Sequence, residues 1–444
     1  MFQKKDLIKL IIPLVIEQFL AVTVGLADTI MIAVRGQEAV SAISLVETIS
    51  ILLIGLFSAL ATGGAVVVAQ YIGHKEFKNA KLAANQLVFV VTFLAFIVLV
   101  ISLVGNHAIL KLIYRDVDPL IMKNARSFFY FSAVSYPFIA LYNAGAALFR
   151  AMGNSKISMK VSLYMNGINI TGNAILIFGF GMGVAGPGIS TLISRAVAAI
   201  TVIYLLRNEK NLISIDRRLR LGYNPQMIRR ILRIGIPNGL ENSMFQFGKI
   251  LVISLVAEFG TVGITANAVA NSVANFNCIP GSAIGLAMIT VVGQCVGAGD
   301  LDQAKKYIWK LLKYACTTML ILNFIMILVM PQLVGLFQVE PDTYELAYQL
   351  LIYHCICCII IWPLSFTLPN ALRAANDVKF TMTVSIFSMW VFRIVLSFVL
   401  ARNLGLGVFG IWIAMTIDWV FRAILFVGRL MNGRWKRYAY MNAR

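Results

Sequence analysis

The sequence predicts an all-α polytopic membrane protein: twelve transmembrane helices in two six-helix bundles, related as parallel repeats by a pseudo-two-fold axis. Three observations carry this. Of 444 residues, 59% are hydrophobic and only 13% charged, with a mean hydropathy of +0.83, outside the range of soluble globular domains. Apolar stretches that reach the roughly 20 residues needed to cross a bilayer recur along the whole chain. The chain is also written twice, at an offset of 224 residues. Pro13 and Glu17 return as Pro237 and Glu241, Gly36 and Ala42 as Gly260 and Ala266, and Gln70, Gly73, Ala80 and Lys81 as Gln294, Gly297, Ala304 and Lys305. Near the ends of the halves, Gly181, Gly183, Val184 and Gly186 match Gly405, Gly407, Val408 and Gly410.

The expected spans are 7–34, 41–72, 83–106, 124–149, 157–180 and 185–206 in the first half. The second half holds 229–257, 264–297, 307–331, 343–372, 380–401 and 407–430. The first apolar segment is too long for a signal peptide and lacks a small-residue cleavage pattern, so it is read as a span. Six spans per half is an even number, so both halves start from the same side. The expected organisation is an N-terminal lobe at 1–206, a polar cytoplasmic tether at 207–228 and a C-terminal lobe at 229–444. The second span and its counterpart are long, which calls for tilt, and small residues in "SALATGGAVV" let neighbours approach closely.

The formal charge of +19 raises nucleic acid as a partner, but its placement excludes that reading. Basic residues gather in alternate loops, among them Lys75, Lys78 and Lys81, then 207–233, then Lys305, Lys306 and Lys310, then 429–437. The loop holding Glu340, Asp342 and Glu345 is acidic, and Arg115 is diluted by Asp116 and Asp118. This is the positive-inside bias, and it puts both termini in the cytoplasm of a multi-pass cell-membrane protein, read as a monomer among lipids.

A charge near the bilayer centre costs about 2.5–3.5 kcal/mol on insertion scales, so each buried one is a functional candidate. Asp28 lies deep in the first span, and its repeat-mate is Val252, so the fold does not require the charge. Asn169 and Asn173 stand four apart on one helix face, and Thr191 can reach that face across the "GFGMGVAGPG" turn. Together these oxygens suit a proton-loading carboxylate or a hard cation. Glu17 and Glu241 are repeat-mates four residues after matched prolines. That symmetry favours a structural role, yet Glu17, Glu241, Lys249, Glu47 and Arg393 are also read as residues of a substrate or second-lobe cavity; Lys249 lies eight residues after Glu241, and Glu47 faces that cavity or packs at its outer rim. Arg393 is the mate of Asn169, which makes the lobes chemically unlike. Asp418 and Arg422 are read as a helical ion pair, and Arg195 similarly. Six cysteines, three of them in "HCICCIIIW", lie in the second half; they are read as packing, because structural zinc wants four well-placed ligands.

Taken in order, these motifs resemble the multidrug and toxic compound extrusion (MATE) family over essentially the whole chain. "DTIM" at 28–31, "LFRAMGNSK" against "ALRAANDVK", "LIFGFGMGVAGPGIS" and "GLGVFGIWIAMTIDWVFR" carry the resemblance. It implies an alternating-access antiporter that exports hydrophobic, mostly cationic organic compounds, coupled to H+ or Na+ and needing no cofactor. In the DinF-like branch the resemblance puts the cation site in the N-lobe, at Asp28, Asn169 and Thr191, with Asn173 where that branch has a second Asp. The NorM-like branch adds a helix-7 Glu, matched by Glu241, and a helix-10 Asp, but "IIWPLSFTLP" has no acid there. The pattern is therefore mixed and nearer the DinF-like branch. Flipping of lipid-linked saccharides is the competing transport reading; it needs rows of basic residues, and Lys249 and Arg393 are the clear interior ones. Enzyme chemistry is not expected, since His74, His107 and His354 form no HExxH or nucleophile–base set.

Overall fold

Each expected span is helical in the computed structural model, which describes residues 2–34, 36–114, 118–216 and 223–441. The first half runs α1 (Lys4–Ala33), α2 (Gln37–Gly73), α3 (Phe77–Val104), α4 (Pro119–Ala151), α5 (Ser155–Ala174) and α6 (Ala185–Leu206). The second runs α7 (Pro225–Val256), α8 (Gly260–Asn277), α9 (Ile279–Gly297), α10 (Leu301–Leu328), α11 (Pro341–Cys358), α12 (Leu368–Ala374), α13 (Val378–Ser388) and α14 (Gly407–Met431). Among the described residues, ten helical runs are long and apolar enough to cross a bilayer, eleven with a bent pair taken as one span. The 33-residue α4 is outside that set. Its buried Ser132, Ser135, Tyr136 and Tyr142 lower its hydropathy.

The repeat extends to the backbone. A π-type turn at Ile175–Gly179 closes α5, and another at Val399–Asn403 stands 224 residues later. Gly36 (φ 101°) and Gly260 (φ 72°) make the turns into α2 and α8 in a conformation that only glycine adopts cheaply. On α3 the exposed side chains Phe96, Ile97, Val100, Ile101 and Val104 form one apolar stripe. Its repeat-mates Leu320, Ile321, Phe324, Ile325 and Leu328 are exposed on α10. Conspicuous in water, such stripes are ordinary against lipid.

Two expected spans are broken. Residues 264–297 were expected as one helix, but α8 stops at Asn277 and α9 starts at Ile279, with Pro280 in its first turn. Proline lacks an amide donor and clashes with the preceding turn, and its mate Leu56 sits inside the unbroken α2. The span at 343–372 bends by 63° between α11 and Pro363–Ala374.

The chain divides into two compact units, Lys4–Gly239 and Leu240–Arg444 with Met1–Gln3. That division falls inside α7 rather than at the polar connector. Where a solvated tether was expected, the described part of the connector is tied to the first unit. Asp216 meets Lys81 Nζ at 2.8 Å and exchanges hydrogen bonds with Asn85 on α3. Arg230 donates to Tyr71 and Gln70. The connector's basic residues at 217–222, with Arg115 and Asp116, lie outside the described residues.

Within the first unit α2 touches the start of α7 almost backbone to backbone. A Cβ on Gly63 would lie 2.8 Å from both Gly235 N and Ile231 O. No rotamer relieves a collision with main chain, so Gly63→Val is expected to cost about 1–3 kcal/mol, the usual range for overpacking. Thermal unfolding of purified protein should show a lower midpoint; an unchanged midpoint would mean these helices do not pack this closely.

Candidate functional site

The sequence-predicted oxygen cluster assembles in the first unit from α1, α5 and α6. A Cβ on Gly172 would collide with Ser190, so glycine there lets α6 lie against α5, and Ser190 Oγ donates to the Asn169 carbonyl at 2.8 Å. That contact sets Thr191 opposite Asn169. The Asn169 amide donates to both Asp28 carboxylate oxygens, at 2.9 and 3.2 Å, while its oxygen accepts from Thr191 Oγ1 at 3.2 Å. Asn173, one turn on, donates to Asp28 Oδ1 at 2.7 Å. Its own Oδ1 is buried and has no hydrogen-bond partner among the described residues. The π-type turn follows directly after this face, and such turns recur at functional sites.

Asp28, Asn173 and Thr191 line a cavity of about 330 Å³ within the first unit. Glu47 on α2 faces it too, with Thr48, Phe128 and Pro187. Arg195, expected as half of a helical ion pair, instead crosses to α4, where its Nη1 donates to Ser135 Oγ at 2.7 Å. It lies within electrostatic reach of both Asp28 and Glu47. The clue available in the sequence is its position four residues after Thr191, on the same face. Two carboxylates against one guanidinium leave the cavity biased toward cations. Carboxylate, amide and hydroxyl oxygens at this spacing can hold a hard cation, or load and release a proton at Asp28.

Glu17 and Glu241 do not join this cluster. Glu17 Oε1 lies 3.1 Å from Arg150 Nη1, and its Oε2 accepts from Ser158 at 2.8 Å. In the other half Glu241 Oε1 lies 2.7 Å from Arg373 Nη2. The same clamp is thus built twice, each joining the first helix of a half to the matched "RAMGNSK" or "RAANDVK" turn. The halves differ at one point: Thr381, at the place of Ser158, donates to the Val378 carbonyl, and Glu241 Oε2 has no hydrogen-bond partner among the described residues.

Arg393 and Lys249 meet in the second unit over one aromatic ring. Lys249 Nζ lies 5.1 Å and the Arg393 guanidinium 5.2 Å from the centre of Phe245. Asp418 is fully buried between Arg422, at 2.9 Å, and Arg393, at 3.8 Å, and also accepts from Ser388. One carboxylate against three cations makes this region the electrostatic opposite of the Asp28 cavity. Two of the "CICC" cysteines are fully buried in the second unit. Cys355 accepts from Asn277 at 3.1 Å, whereas Cys358 Sγ approaches Cys278 Sγ at 3.8 Å.

The MatE family profile matches residues 13–175 and again 237–399, two copies at the offset seen in the sequence. The chain belongs to the MatE family. This MatE protein is 29% identical to the uncharacterized transporter YisQ of Bacillus subtilis, over 95% of the chain and 93% of that protein. It is 25% identical to the probable multidrug resistance protein NorM of Thermotoga maritima, over 99% and 94%. A solved outward-facing multidrug resistance MATE family transporter of the MOP superfamily superposes with a TM-score of 0.91 at 20% identity, over 98% of this chain and 97% of that one. A MOP superfamily transporter from Pyrococcus furiosus gives a TM-score of 0.89 at 19% identity, over 99% and 96%. The fold is therefore that of MATE transporters, all-helical and multi-pass, and the MatE protein is a transporter rather than an enzyme.

Proposed function

We propose that this chain is a cation-coupled antiporter that exports hydrophobic, mostly cationic organic compounds across the cell membrane by alternating access. The observation that carries the proposal is the Asp28–Asn169–Asn173–Thr191 cluster opening on an acidic cavity. Asp28 binds the coupling ion, Na+ or H+, which compete for one carboxylate, and Glu47 attracts the cationic substrate. The names of relatives such as NorM, a probable multidrug resistance protein, support this substrate class. The N-lobe location of the cluster supports kinship with the DinF-like branch. Flipping of lipid-linked saccharides fits less well, because Arg393 and Arg422 are engaged by Asp418 rather than free to line a pyrophosphate path.

Efflux of a fluorescent organic cation from proteoliposomes, with Na+ and pH gradients imposed separately, tests the proposal. One of the two gradients should drive efflux well above the gradient-free rate. Competition at Asp28 further requires that raising Na+ shift the pH profile of transport toward lower pH. Equal efflux with and without either gradient would rule out coupling.

The proposed organisation is two six-helix lobes with both termini and the 207–228 connector in the cytoplasm. Glu209 is exposed in that connector. In a cysteine-free background, Glu209→Cys should react with an impermeant maleimide in inside-out vesicles and not in intact cells. Labelling of intact cells would invert the topology.

A further inference from the structure

Cys278 occupies the single-residue break between α8 and α9. His354 and Cys358 stand four residues apart on the last turns of α11, so they share one helix face. The ligating atoms of the three residues all lie within 4.8 Å of one another, with the two sulfurs 3.8 Å apart. His354 is only 3% exposed, and its Nδ1 has no hydrogen-bond partner among the described residues. Trp412 and Trp419 meet the imidazole edge-on, each with its ring centre 5.5 Å away. A buried polar atom of this kind normally finds a partner, and its lack of one needs a reason.

The fold does not demand these residues. At the repeat offset the first half has Ile54, Tyr130 and Val134, and its equivalent helix α2 has no break. The break that presents Cys278 comes from Pro280, which also belongs to the second half alone.

We propose that Cys278, His354 and Cys358 form a binding site for a monovalent thiophilic metal ion of the Cu(I) class, inside the second unit and separate from the Asp28 cavity. Thiolates are soft donors that favour Cu(I), and imidazole also suits copper; Cu(I) is stable with three ligands. Zinc in a structural site wants four, and the described residues bring only these three together. Charge supports the choice. On binding, both sulfurs ligate as thiolates, any proton still on them passes to solvent, the ion enters and stays as Cu(I), and the complex carries one negative charge. Lys249, within electrostatic reach of Cys278, balances it in an apolar setting. The site is independent of the antiport reading and stands or falls on metal binding alone.

The test is an anaerobic titration of the full-length purified protein with Cu(I) buffered by bicinchoninate. The protein should withdraw one equivalent from the chelator, and copper X-ray absorption should show two sulfur neighbours. Cys278→Ser and Cys358→Ser should each weaken binding at least about tenfold, the lower end of what loss of an outer-shell partner costs. Cys316→Ser and Cys357→Ser, which remove thiols outside the trio, should bind like the unaltered protein. Size-exclusion profiles and melting temperatures certify that the variants fold; should Cys278→Ser misfold, the same loss is read in Cys358→Ser. Failure of the unaltered protein to compete with the chelator would overturn the proposal. So would unchanged binding in the Cys278→Ser/Cys358→Ser double variant, or a Cys278–Cys358 disulfide in protein purified without oxygen.

Discussion

Asp28→Asn is expected to abolish ion-driven efflux while leaving the protein folded and in the membrane. The substitution keeps the shape of the side chain but removes the only carboxylate in the α1–α5–α6 cluster. Both amides that donate to Asp28 would then face a neutral group that neither loads a proton nor offers a full charge to Na+. Proton coupling should therefore be lost outright, and Na+ binding should lose the attraction of a full charge. Efflux under an imposed gradient, normalised to the amount of reconstituted protein, measures the loss. Asn173→Ala should have a smaller effect in the same direction, since it removes one donor and one free acceptor but keeps the charge. Native rates in Asp28→Asn would exclude this carboxylate from coupling.

Arg150→Met is expected to destabilise the first unit strongly, because it strands Glu17 in a site where its side chain is only 10% exposed. Removing one partner of a buried pair costs about 3–5 kcal/mol, whereas replacing both by apolar groups is often neutral. The double variant Glu17→Leu/Arg150→Met should therefore recover most of the melting temperature lost in Arg150→Met. Arg373→Met should behave in the same way at the equivalent clamp. A double variant no more stable than the single one would mean that the arginine acts through packing rather than charge.

Much of this was legible in the sequence because membrane helices and internal repeats leave strong signals. The 224-residue offset paired Gly36 with Gly260, which the structure shows at matching turns, and the four-residue spacing of Asn169 and Asn173 put both on one helix face, which meets Asp28. What stayed hidden were contacts between helices that no spacing encodes. The matched placing of Glu17 and Glu241 in the two halves pointed to a structural role beside the functional one that a carboxylate in a span suggests, but it named no partner. Their partners Arg150 and Arg373 lie 132 or 133 residues away, and only the folded chain brings them together. Arg195 was misjudged for the related reason that its partner is on α4 rather than on its own helix. The break at Cys278 was missed because Pro280 lies in the middle of an expected span, where a proline reads as one of the kinks common in membrane helices. It is that break which brings Cys278 to the last turns of α11.

The central claim is that coupling resides in the first unit, and the most direct test reads ion dependence in each half separately. Drug efflux should be measured against pH and Na+ for Asp28→Asn beside the double variant Glu241→Gln/Arg373→Met, which removes the second clamp without stranding a charge. Ion dependence should vanish in Asp28→Asn and persist in the double variant, whatever its maximal rate. Ion dependence that survives in Asp28→Asn and disappears in the double variant would move coupling to the second unit and contradict the account.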